Sequence, residues 1–133
     1  MGPLREGMAK FFTEQYFQDL ATRLNADAEW RKKAEGITSR IVTTASDRDF
    51  SALLDIQDGE VTASQVDADT PADFKFEADY DIWKATAEGE GDLTTLVMTG
   101  RMRFRGSMSK VMAMMAPLNR MTEILRDLPK DFD

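Results

Sequence analysis

Hydrophobic positions along the chain switch between helical and extended spacing, and the switches mark out its elements. Phe12, Tyr16, Phe17, Leu20 and Leu24 recur along one stripe, with Lys10, Glu14, Gln18, Asp19 and Arg23 opposite, which predicts an amphipathic helix over 8–24. Asn25 is a stop signal. Asp27 is suited to cap a short helix over 28–35 that holds Trp30 and ends at Gly36. The spacing then becomes two. Residues 37–45 are rich in β-branched side chains. Over 50–57, Phe50, Ala52, Leu54 and Ile56 alternate with Ser51, Leu53, Asp55 and Gln57, and 60–66 form a return strand. Asp58-Gly59 between them suits a type I′ hairpin, which needs positive φ at both central residues. With a second link at 46–49, the three strands read as an antiparallel meander.

A polar break follows at 67–73, where Pro71 would not suit a central strand. Phe74, Phe76, Ala78 and Tyr80 then alternate with Lys75, Glu77 and Asp79, giving a fourth strand over 74–80. Asp81 is placed to cap a short helix that carries Trp83 and runs to Ala87, and Asp92 to cap a further turn over 93–98. The stretch 100–128 organises the rest. Met102 and Phe104 face one way and Arg101, Arg103 and Arg105 the other, as in a fifth strand with one buried face. At Ser107, a natural N-cap, the period changes. Met108, Met112, Met115 and Leu118 recur at helical spacing toward Leu125. Pro117 lacks a backbone donor and is expected to bend this helix about a turn earlier, and Leu128-Pro129 ends it.

The 133 residues suffice for one domain with a real core, so a single domain over 1–133 is expected, with no internal repeat or linker. A net charge of -7 disfavours nonspecific binding to nucleic acid or to an anionic membrane surface, since both require a cationic face. There is no Cys, which removes disulfide and thiol chemistry. There is no His, which removes the commonest general base and metal ligand. No apolar run approaches the ~18 residues of a membrane span. Residues 1–7 do not form a signal peptide, and Lys130-Asp131-Phe132-Asp133 is not a peroxisomal tail, so a cytoplasmic address is expected.

The order of elements resembles the sterol carrier protein-2 (SCP-2-like) domain. The match is most specific over 74–118: the alternating strand Phe74-Lys75-Phe76-Glu77-Ala78-Asp79, a helical stretch, Gly89, Asp92, and then Gly100-Arg101-Met102-Arg103-Phe104-Arg105-Gly106 before an apolar helix. The resemblance implies an α+β fold. Its five-stranded, mainly antiparallel sheet has the meander at one side, and the fourth strand crosses over to pair beside the first. Helices cover one face, and an apolar tunnel lies between the sheet and the C-terminal helix. Members of the family bind fatty acids, fatty acyl-CoA, sterols or phospholipids, and some move them between membranes. The acidity of the chain and its C-terminus depart from peroxisomal members, which weakens the case for a sterol and for that compartment. Stand-alone bacterial and archaeal members are nearer in character.

Five of the nine Met fall at Met108, Met112, Met114, Met115 and Met121. Unbranched thioethers fill gaps in a core, and they equally make an adaptable wall for alkyl chains. With the resemblance, the candidate lipid-binding lining is Phe74, Phe76, Ala78, Met102, Phe104, Met108, Met112, Met115 and Leu118. Arg101, Arg103 and Arg105 read as a solvated face. The other reading, a grip on a head group, is weakened by their alternation away from the apolar side. Asp79, Tyr80 and Asp81 could do acid–base work in an apolar pocket, as in a small isomerase of the ketosteroid isomerase type, but Asp at such a junction is first a cap. Asp67 with Asp69 reads as solvated loop, and Gly89-Glu90-Gly91 lacks the residues of a phosphate loop. The expectation is non-catalytic binding and transfer of a lipid or other apolar small molecule, with no cofactor, no metal and no nucleic acid. Core packing is the first reading of the N-terminal aromatic stripe, with transient membrane contact as the other. The alternative function is an interaction or dimerisation module with a collapsed cavity, packing through Phe12 and Phe17. Oligomeric state is left open.

Overall fold

A computed structural model describes residues 9–132. The elements, in chain order, are β1 (Ala9–Lys10), α1 (Glu14–Ala26), α2 (Ala28–Lys33), β2 (Ser39–Ala45), β3 (Phe50–Gln57), β4 (Glu60–Val66), β5 (Phe74–Ala78), α3 (Tyr80–Ala87), α4 (Leu93–Met98), β6 (Arg103–Gly106), α5 (Met108–Ala113), α6 (Met115–Asp127) and β7 (Lys130–Asp131). Five strands form one sheet in the order β4-β3-β2-β5-β6, antiparallel except where β5 lies parallel to β2. The meander and the crossover implied by the family resemblance are both present. The Asp58-Gly59 turn has φ of 49° and 84°, so both central residues adopt the left-handed region that a type I′ hairpin requires.

Register decides what each face carries. Ile41 sits between Leu54 and Phe74, Thr43 between Ala52 and Phe76, and Ala45 between Phe50 and Ala78. That face, with Ile56 and Val61, is buried under the helices. The opposite face carries Thr44 bonded to Ser51 at 2.7 Å and the ion pairs Arg40–Asp55 (3.3 Å) and Arg103–Glu77 (3.0 Å). The connection 67–73 is tied to this polar side, where Lys75 Nζ donates to Ala68 O and Arg40 Nε to Pro71 O.

α1 packs on β4 and β3, and α6 packs against α1, α2 and α3. Side chains reach out of the helices to fix the sheet. Asn25 donates to Val61 O and accepts from Val61 N, both at 2.8 Å, as a neighbouring strand would. Trp30 Nε1 donates to Gly59 O and Trp83 Nε1 to Thr44 O, which seats both indoles in the core without an orphaned donor. Asp27 caps α2 through the amide of Trp30 at 2.8 Å and takes two hydrogen bonds from Arg120 of α6, at 2.7 and 2.9 Å.

Several expectations need correction. The first helix begins at Glu14 rather than near residue 8. Ala9–Lys10 instead pairs in parallel with Lys130–Asp131, Phe12 turns the chain at φ 59°, and Thr13 is the N-cap. Met8, the other N-terminal residues and Asp133 lie outside the described residues. The aromatic stripe is packed into the core. Phe12 and Phe17 are buried, with Phe12 5.1 Å from the ring of Trp83 and 5.8 Å from that of Phe50. The fourth strand stops at Ala78. Asp79, not Asp81, holds the N-cap position of α3, but its carboxylate accepts from Ser46 Oγ rather than capping. Pro117 bends the last helix as expected, and more sharply: α5 ends at Ala113, whose carbonyl a proline at 117 cannot satisfy, and α6 restarts at Met115. Among the described residues, no helix is long and apolar enough to cross a membrane.

Candidate functional site

The C-terminal helices carry more apolar residues than the core can use. Val111, Met114, Leu118, Met121 and Ile124 are buried at spacings of three and four, which is the stripe that seats α5 and α6 on the protein. Met108, Met112 and Met115 form a second stripe, rotated away from the first. This second stripe, with Val111 and Leu118 shared between the two, faces a cavity of about 830 Å³, within the ~300–1,000 Å³ typical of small-molecule sites.

α4 supplies the opposite wall with Leu93, Val97 and Met98, and the sheet contributes Phe76 of β5 and Phe104 of β6. Those two phenyl groups are register partners with ring centroids 5.2 Å apart. α4 is held in place at both ends. Asp92 caps its start by accepting from Thr95 N at 2.8 Å, and that backbone hydrogen bond holds the Asp92 carboxyl below its usual range. At its end, Gly100 N bonds Val97 O and Arg101 N bonds Leu96 O, closing the helix with paired C-terminal bonds. Ser107 caps α5 through the amide of Lys110 at 3.3 Å.

The cavity opens to solvent along a sulfur-rich rim. Met98, Met108 and Met112 are 81%, 54% and 58% exposed, and these exposed large hydrophobics all line it. Polar groups gather at the mouth: Asp92, Asn119, Glu123 and Arg126. Glu123 pairs with Arg120 at 2.9 Å, which it shares with Asp27 and Glu29. Arg126 donates to Gly91 O at 3.1 Å and to Thr86 O at 3.5 Å, bracing α6 against the loop before α4.

Of the nine residues expected in the lining, the structure brings six together: Phe76, Phe104, Met108, Met112, Met115 and Leu118. Phe74, Ala78 and Met102 do not reach the cavity and are buried in the core. Phe74 and Ala78 lie at the two ends of β5, on the same face as Phe76, and of the three only Phe76, at the centre of the strand, borders the cavity. The backbone amide of Met102 bonds Leu96 O, which tucks its side chain beneath the end of α4. The α4 wall was missed because six residues are too few for a readable period, although Leu93 and Val97 stand one turn apart. Arg101, Arg103 and Arg105 are exposed, and neither Asp79 nor Asp81 borders the cavity.

The sequence pattern of the SCP-2 sterol transfer family matches residues 17–119. Among curated protein sequences, none matches the chain. The fold superimposes on a crystal structure of sterol carrier protein 2 with a TM-score of 0.81 at 21% identity, covering 90% of this chain and 99% of that one. The solution structure of a conserved hypothetical protein from Thermus thermophilus gives 0.80 at 21% identity, with 94% and 97% covered. That of palmitated SCP2L2 from Aedes aegypti gives 0.57 at 11% identity, with 81% and 94% covered.

Proposed function

This chain belongs to the SCP-2 sterol transfer family, and from that premise we propose that it binds a long-chain lipid between α4 and α5–α6 without altering it chemically. The observation that supports this most is the second Met stripe. Three large apolar side chains stand exposed around one cavity, and only an apolar occupant removes them from water. An alkyl chain suits the lining, because the unbranched thioethers and the two phenyl rings can close around it. The Aedes aegypti relative is described as palmitated, and a fatty acid is the ligand class we assign here. A micromolar complex needs about 8 kcal/mol. Roughly ten methylenes at about 0.8 kcal/mol each reach that figure before the losses of association, so the longer chains bind usefully. A carboxylate head would rest at the mouth beside Arg126, whose guanidinium donates to the carbonyl oxygens of Thr86 and Gly91.

The test is native mass spectrometry of the purified protein, with saturable uptake of a fluorescent fatty acid. Wild-type protein is expected to retain lipid and to take up the probe. Met115→Glu, which sets an ionised group on the half-buried wall, is expected to weaken uptake by more than tenfold. Absence of co-purifying lipid together with no saturable uptake overturns the reading. So does a dimer in light scattering that covers the Met rim and excludes the probe.

A further inference from the structure

Beneath the lipid cavity lies a smaller chamber of about 50 Å³. Phe76, Leu93, Leu118 and Thr122 border both spaces, so the chamber lies directly behind the cavity with these side chains between them. Its walls are apolar apart from four hydroxyl-bearing side chains. Two of these are satisfied within their own helices: Thr86 Oγ1 donates to Ile82 O and Thr122 Oγ1 to Leu118 O, each at 3.0 Å. The other two are not. Tyr16 Oη and Thr43 Oγ1 are buried with no hydrogen-bond partner among the described residues, and their residues are 0% and 8% exposed.

Both hydroxyls belong to residues that border the chamber. Thr43 lies on the covered face of β2 between Ile41 and Ala45, and its neighbour across the meander is only Ala52. The small pair leaves a recess in the sheet. Tyr16 reaches the chamber from α1, its ring held edge-on by Phe11 at 5.0 Å and Phe17 at 5.3 Å. A phenylalanine and a valine would fill the same space without an orphaned polar atom, and a buried hydroxyl with no partner destabilises the fold. Among the described residues, no charged side chain borders the chamber.

We infer that this chamber receives the leading end of the bound lipid and that this end carries a neutral oxygen, a hydroxyl or a ketone, hydrogen-bonded by Tyr16 and Thr43. The inference rests on the lipid-binding reading above and narrows its ligand class. A carboxylate does not fit here, because nothing in the wall offsets its charge. It stays at the mouth and the far end of the chain enters first. Burial pushes the Tyr16 phenol above its ordinary pKa, so the group remains protonated and able to donate. The volume admits only the tip of a chain, or a few water molecules.

The experiment compares hexadecanoic acid with 16-hydroxyhexadecanoic acid by displacement of a fluorescent fatty acid. Wild type is expected to bind the hydroxylated acid at least as tightly as the plain one. Tyr16→Phe and Thr43→Val, both close in shape to the residues they replace, should each weaken the hydroxylated acid about tenfold, the effect of burying a hydroxyl without a partner. Binding of hexadecanoic acid should move less than twofold. An unchanged or raised melting temperature for Tyr16→Phe shows that the fold is intact. Discrimination against the hydroxylated acid by wild type overturns the inference and leaves lipid binding standing. An equal response of the two acids to both variants does the same, and assigns the hydroxyls to trapped water. Failure of wild type to bind either acid overturns both readings.

Discussion

Gly106 gives the sharpest test of how the site is held. It ends β6 opposite Phe74, with φ 137°, and a Cβ there would lie 2.6 Å from the backbone oxygen of Asp73 and 3.0 Å from the Phe74 ring. Gly106→Ala therefore carries two penalties. A backbone conformation that L-residues rarely adopt costs about 1–3 kcal/mol. Forced separation of two packed strands costs about 1–3 kcal/mol more. Gly100 isolates the first penalty: its φ is 77°, but a Cβ there meets nothing within 4 Å. Gly100→Ala should cost only about 1–2 kcal/mol. At about 4 °C per kcal/mol for a domain of this size, the melting temperatures should fall by roughly 5 °C for Gly100→Ala and 10 °C or more for Gly106→Ala. Thermal and urea unfolding followed by circular dichroism read both. Where Gly106→Ala remains folded, the shift of β6 should carry Phe104 away from Phe76 and reduce fatty-acid uptake severalfold. If the two variants lose equal stability, the close approach of β5 and β6 does not constrain the strand, and the geometric account of this glycine is wrong.

Further outcomes follow from the same contacts. Met108→Gln and Met112→Gln, on the exposed rim, should change stability by less than about 0.5 kcal/mol yet weaken lipid uptake. Met114→Gln, on the buried stripe, should cost about 2–3 kcal/mol by burying an amide; urea titrations beside uptake assays separate the two stripes, and equal stability losses at all three positions would contradict the assignment. Asp27 gives a pH test. Hydrogen bonds from Arg120, and from the amide of Trp30, hold its carboxyl down from 3.8 to about 2. A depressed carboxyl stabilises the fold above its unfolded value, and that contribution fades as pH falls toward the folded one. Asp27→Asn should therefore be less stable than wild type at pH 7, with the gap constant to about pH 4.5 and closing between about pH 4 and 2. A gap that persists unchanged to pH 2 would show that the Asp27–Arg120 contact is not what couples α2 to α6.

The sheet was legible because its signals are local. β3 and β4 begin and end where alternation and the Asp58-Gly59 turn place them, and α4 and α5 follow their caps, Asp92 and Ser107. The pairing of β1 with β7 was not legible, because two-residue strands from opposite ends of the chain carry no period. The start of α1 was misplaced for a related reason. Phe12 falls on the helical stripe, and only the tertiary cluster with Phe17, Phe50 and Trp83 holds it in a turn instead. In the site, residue type identified the Met lining, but spacing could not tell which of two interleaved stripes was buried. The orphan hydroxyls were invisible as well: Tyr16 reads as one more aromatic on a stripe and Thr43 as one more β-branched strand residue. Their meaning depends on what fails to surround them.

That distinction between stripes explains why the fold keeps a cavity rather than closing it. A helix needs one apolar face to dock, and Val111, Met114, Leu118, Met121 and Ile124 already provide it. Met108 and Met112 add little to docking because they remain mostly in water. Closing the gap would require α4 to move onto them, and α4 is capped by Asp92 at one end and pinned at the other by Leu96 O, which receives the amides of Arg101 and Met102. Arg126 meanwhile braces α6 against Gly91. That hydrogen bond sets the spacing between α6 and the loop that leads into α4, and closing the gap would strain it. On the function proposed above, an apolar ligand gains the burial that the protein alone does not reach, and its binding would cover Met98, Met108 and Met112.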